Sequence, residues 1–175
     1  MMPDTLSNRL WQEAETRFAY VLLDGAQNKS LLDWLHGPDA PQFECLFAGD
    51  LAPDMAEVAP YLVQLEFGSR FATEFIQNGW SPNWGVLLVS SAELSIIWRH
   101  LRQHALVYGP ELAPMYFRFY DPRVLRMFLP TCDEAQLKDF FGVIDFFLAE
   151  GAAQLAADVW SLADGKLLTE ALGAA

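Results

Sequence analysis

The chain has 175 residues, enough for one domain with a sizeable core. Hydrophobic residues make up 53% and charged residues 19%, which excludes a disordered chain. A formal net charge of −12, with no Lys/Arg run, argues against nucleic acid and anionic membranes as ligands.

The N-terminus predicts a short helix over "LSNRLWQEAET", with Asp4 or Thr5 as its cap and Leu6, Leu10 and Trp11 on one side. Its mixed charges are not those of a signal peptide. "RFAYVLLDGA" follows, and its apolar run Tyr20 to Leu23, ended by Asp-Gly, predicts a buried strand and turn. "NKSLLDWLHG" is a short helix with Leu31, Leu32 and Leu35 inward and Gly37 as its stop. "QFECLFAGD" is a strand, "LAPDMAEVAP" a proline-flanked connection, and "YLVQLEF" a strand broken by Gly68. "SRFATEFIQNGW" is helical, capped by Ser69 and stopped at Asn78-Gly79. "GVLLVSS" is the most strand-like run, and Ser90 or Ser91 is expected to cap the amphipathic helix "AELSIIWRHLRQHAL". "MYFRFY" alternates as a strand, "PRVLRMFL" is a short helix, and "DEAQLKDFFG" is a helix closed by Gly142. "VIDFFLAE" and "LAADVWSLADGKLLTEAL" are extended, with Asp164-Gly165 as a hairpin turn.

Alternating strands and helices predict an α/β fold. The expectation is one domain over residues 1–175. Its core, about 17–142, would carry a mainly parallel or mixed central sheet flanked by helices. A short extended, antiparallel addition would follow over 143–175. No stretch is long and apolar enough for a membrane helix, so the expected compartment is the cytoplasm.

A search for chemistry nominates no catalytic residue, no cofactor site and no metal site. There is no G-x-S-x-G elbow and no phosphate loop. His100 and His104 have the spacing of H-E-x-x-H, but Leu101 stands where the glutamate belongs and Arg99 and Arg102 would repel a cation. Cys45 and Cys132 form no framework. The carboxylates fall in loops and helix starts, where solvation and capping are ordinary.

Two clusters stand out. "NGWSPNWG" places Trp80 and Trp84 in one loop, as exposed anchors for a partner or as lids over the core. The second is "MYFRFYDPRVLRMFLP". Five of the eleven cationic residues lie from Arg99 to Arg126, and all five are arginine, which suits fixed pairing with carboxylates. Asp121 is placed to be an N-cap and Pro122 the first helical residue. Arg123 then opposes the helix dipole and needs a carboxylate partner. Arg118, Asp121, Arg123 and Arg126 are therefore read as a structural latch or a protein-binding site, with the latch favoured.

"FRFYDPRVL" resembles the signature of the bacterial type VI secretion effector adaptors, the Tap or Tec chaperones. "AYVLLDGA", "LFAGDLAPDMAEVAPYLVQL", "WGVLLVSSAELSIIWRHLRQHALV" and "LKDFFG" resemble further segments of that family in the same order, from about Phe18 to Gly142. The resemblance implies a non-enzymatic, cytoplasmic adaptor that is not itself exported. Its partners would be a toxic effector and the spike protein VgrG or its PAAR tip. Members often carry a C-terminal extension; here a short addition follows the core. Two alternatives remain open. One is an enzyme whose site gathers distant residues such as Asp24, His100 and Arg118, since Asp24, Ser90 and Asp121 fall at predicted strand ends. The other is an immunity-like protein whose acidic surface binds a basic toxin.

Overall fold

The computed structural model describes residues 2, 4–80, 83–109, 111–152 and 156–172. Helix α1 (Asp4–Glu13) precedes strand β1 (Phe18–Asp24). Then come α2 (Leu31–Leu35), β2 (Phe43–Cys45), α3 (Pro53–Val58), β3 (Pro60–Leu65) and α4 (Arg70–Glu74), the last running into a π-helical turn, Phe75–Gly79. Strand β4 (Gly85–Ser90) leads to α5 (Leu94–Ala105) and a hairpin, β5 (Leu106–Tyr108) and β6 (Pro114–Tyr116). Helices α6 (Pro122–Phe128) and α7 (Glu134–Phe141) precede strands β7 (Phe146–Glu150), β8 (Ala157–Ala163) and β9 (Lys166–Leu172).

Seven strands form one sheet in the order β2-β3-β1-β4-β7-β8-β9. Every neighbouring pair is antiparallel, which corrects the expected parallel or mixed sheet. The apolar runs of β1 and β4 report burial on both faces, not parallel pairing: all six β4 residues and six of the seven in β1 are buried. A parallel crossover must also carry the chain back along its strand. Helix α2, with five residues, rises roughly 7.5 Å, against roughly 23 Å for the seven residues of β1. The crossover that does occur, through α4 and the π turn, makes β3 and β4 parallel to each other with β1 between them.

One core packs α1, α2 and α4 against Ala19, Val21, Leu23, Leu87 and Val89. The other packs α5, α6 and α7 against Tyr20, Leu22, Val86 and Leu88. Alternate residues of β1 and β4 thus serve opposite layers. Gly85 is required by the first pairing, because a Cβ there would overlap the Leu22 carbonyl oxygen.

The C-terminal strands continue the main sheet through β4 and β7. Asp164 and Gly165 both have positive φ, 51° and 76°, as a two-residue hairpin turn of the mirror-image kind requires. Three local expectations are corrected. Helix α1 already contains Asp4 and Thr5, so neither is its cap. Helix α5 begins after Glu93; Ser90 Oγ instead donates to the Val143 carbonyl and accepts from Ala92 N–H, tying β4 to the turn after α7. Of "MYFRFY" only Met115 and Tyr116 are strand, because the chain turns at Arg118, whose carbonyl accepts from Asp121 N–H.

Candidate functional site

The segment Arg118–Arg126 folds as a turn and a capped helix. Asp121 is the N-cap of α6: its carboxylate accepts from Arg123 N–H at 2.9 Å, and Pro122 follows in the first turn. The same carboxylate takes the Arg123 guanidinium in a fork, Nε to Oδ1 at 2.9 Å and Nη2 to Oδ2 at 2.6 Å. This fork offsets the poor placement of a cation at a helix start.

Arg118 reaches Asp24, the last residue of β1, 94 positions earlier. Asp24 is buried and also accepts from Ala26 N–H at 3.1 Å, so it closes the β1 turn and holds Arg118 together. The hydrogen bond that Arg118 donates to Asp24 raises the Arg118 pKa above its ordinary value. Burial, and then the Asp24 charge, push the neighbouring Tyr120 phenol up to about 12. Arg126 donates to Asp158 of β8 at 3.1 Å and to the Glu150 carbonyl of β7. The three arginines therefore tie the turn before α6 to β1, the start of α6 to its own cap, and its last turn to β7 and β8.

Burial alone would raise the Asp121 pKa. The Arg123 side-chain and backbone hydrogen bonds and the charges of Arg123 and Arg118 outweigh it and hold the carboxyl below its ordinary value. A depressed folded-state value contributes stability above the unfolded-state pKa and loses it as pH falls through the folded one. Asp121→Ala is therefore expected to cost about 1–2 kcal/mol at neutral pH, from the lost cap and fork. In denaturant melts against pH, the gap to wild type should narrow as the medium acidifies below the carboxylate range. A gap independent of pH would show that the charge of Asp121 is not what stabilises the turn.

The other nominated residues fall elsewhere. Trp80 is 3% exposed within the first core, which corrects its reading as an exposed anchor. Asp24 N–H donates to the Trp84 carbonyl at 2.8 Å, tying the residue before β4 to the end of β1. Trp84 is half-buried, edge-on to Trp34 at 5.6 Å. His100 Nε2 lies 2.8 Å from the Phe140 carbonyl, and His104 stacks edge-on to it at 5.0 Å. Burial, then His100, push the His104 imidazole below its ordinary pKa. No group of three or more metal-ligating side chains occurs among the described residues. Ser90 pairs with Phe18 at one end of β1, and Asp24 sits at the other. Antiparallel pairing thus keeps Ser90 away from Asp24, while Asp24 and Asp121 meet only around Arg118, and the three line no common pocket among the clefts described.

An exposed apolar and aromatic surface lies where sequence signals are weak. Leu106, Val107, Tyr108, Leu112, Met115 and Tyr116 are all exposed on the β5–β6 hairpin, with Leu112 at 79% and Tyr108 at 65%. Tyr116 stacks on Phe47 beyond β2, ring centroids 4.2 Å apart. From Leu106 to Tyr116, Glu111 is the single charge. The hairpin was detectable from the β-branched and aromatic pair Val107-Tyr108 before Gly109-Pro110, and from Ala113-Pro114 before Met115. An apolar patch of this kind on an otherwise acidic protein is a candidate interaction surface.

No helix among the described residues is long and apolar enough to cross a membrane. Comparison with curated proteins and with solved structures returned no match. A family model described as Domain of unknown function (DUF4123) matches residues 19–139, from β1 to α7. That span covers more than half of the chain and holds both Asp24 and the whole of "FRFYDPRVL". The chain belongs to the DUF4123 family, a family associated with type VI secretion effector adaptors.

Proposed function

We propose that the protein is a cytoplasmic, non-enzymatic adaptor that binds a type VI secretion effector and brings it to the VgrG or PAAR spike. The family match over residues 19–139 carries this reading. The exposed β5–β6 hairpin supports it by supplying an apolar docking surface for a segment of the effector. The latch arginines serve the fold: each has a carboxylate of its own chain.

The test is co-purification with the effector encoded beside the gene, and with VgrG. Deletion should lower the effector's stability or its delivery. Retained toxin stability and delivery would overturn the proposal. Within it, Tyr108→Ser combined with Leu112→Ser should weaken effector binding at least about tenfold, since aromatic anchors dominate such interfaces. Both side chains are exposed, so the melting temperature should stay at the wild-type value. Unchanged binding would place the effector on another surface.

A further inference from the structure

Strand β9 is one edge of the seven-stranded sheet, and it runs for seven residues, Lys166–Leu172. The opposite edge, β2, has three. A long open edge is a template for another strand. The hairpin register identifies which backbone groups are free. Ala163 pairs with Lys166 across the two-residue turn, so that pair is hydrogen-bonded and the pattern alternates along the strand. The N–H and C=O groups of Leu167, Thr169 and Ala171 therefore point outward from the sheet.

Lys166, Leu168 and Glu170 share one face of β9, and all three are exposed. Neither Lys166 nor Glu170 is in an ion pair among the described residues. Within one strand they lie roughly 13 Å apart, too far to pair with each other. Antiparallel pairing of β9 with a second copy, centred on Leu168, resolves this. Leu167 then exchanges both hydrogen bonds with the partner's Thr169, and the reverse. Lys166 falls opposite the partner's Glu170 in a non-hydrogen-bonded pair, where side chains come closest. Leu168 meets the partner's Leu168. Centring one residue later puts Lys166 opposite a leucine, and two residues later sets glutamate against glutamate.

We propose that β9 is a self-complementary edge through which two copies of the chain join their sheets about a two-fold axis at Leu168. A C2 contact of this kind closes, since each edge is used once. The inference is independent of the effector-binding reading: the β5–β6 hairpin takes no part in it.

Sedimentation velocity on the full chain tests it. Wild type should show a concentration-dependent monomer–dimer equilibrium. Glu170→Lys should weaken it at least about tenfold, because both cross-strand pairs become like-charged. Combining Glu170→Lys with Lys166→Glu should restore it. Thr169→Pro, which deletes an outward N–H that the monomer does not use, should abolish it while the circular dichroism stays native. A wild-type monomer at every accessible concentration overturns the proposal. So does a dimer indifferent to Glu170→Lys, or one that the double charge swap fails to restore.

Discussion

Arg118→Ala should destabilise the protein by about 2–4 kcal/mol, somewhat below the range for a fully buried ion pair because only the Asp24 side of this pair is buried. For a chain of this size that is a fall in melting temperature of roughly 10 °C. The two partners are unequal. The Asp24 side chain is 1% exposed and the Arg118 side chain 44%. Removing the arginine strands a buried carboxylate, with the Ala26 N–H at 3.1 Å still to support it. Removing the charge on Asp24 leaves a guanidinium that water can reach, so Asp24→Asn should cost less, about 1–2 kcal/mol. Urea melts of both variants check this order. Equal or reversed costs would mean that Asp24 is held by other groups, and that Arg118 is free to act elsewhere.

Phe140→Ala should cost about 3–5 kcal/mol, as large-to-small substitutions of buried aromatics do. Phe140 is 2% exposed. Its ring meets His104 of α5 at 5.3 Å, Phe119 before α6 at 5.4 Å, Phe128 of α6 at 5.2 Å and Phe147 of β7 at 5.4 Å. Edge-to-face contacts add to the area term. The cavity would open where three helices meet the sheet, so collapse is opposed from every side. Phe140→Leu should recover more than half of the loss. A loss below about 1 kcal/mol for the alanine variant would show that the layer repacks, and that the aromatic cluster is not rigid.

Much of this was legible in the sequence, where a local rule operates. Asp121-Pro122 announced a cap and a first helical turn, and both are present. Asp133 and Gln136 form the capping box that opens α7, and Gly142 closes that helix with φ of 51°. Asp164-Gly165 announced a hairpin. The misreadings concern long-range order. Val21 and Leu22 face opposite layers, and the sequence cannot say whether a strand buried on both faces pairs in parallel. Arg118 and Asp24 are 94 residues apart, so the need for a partner was readable and its identity was not. Trp80 was ambiguous because a loop tryptophan reads alike as anchor or lid, and what decides is its packing in the first core against residues distant in sequence. The hairpin from Leu106 to Tyr116 overlaps the predicted helix only at Leu106 and the predicted strand only at Met115 and Tyr116; strands of three residues each are too short to show a period between them.

The division of labour between latch and hairpin makes the sharpest demand on the molecule. Effector retention should be measured on two variants at a temperature where both are folded: Asp121→Ala in the latch, and the Tyr108→Ser, Leu112→Ser pair in the hairpin. Asp121→Ala should retain the effector as wild type does, despite its lower melting temperature. The hairpin pair should lose it with the melting temperature unchanged. The opposite pattern, with binding lost in a fully folded Asp121→Ala and kept in the hairpin variant, would contradict the account and make the arginine cluster the recognition site.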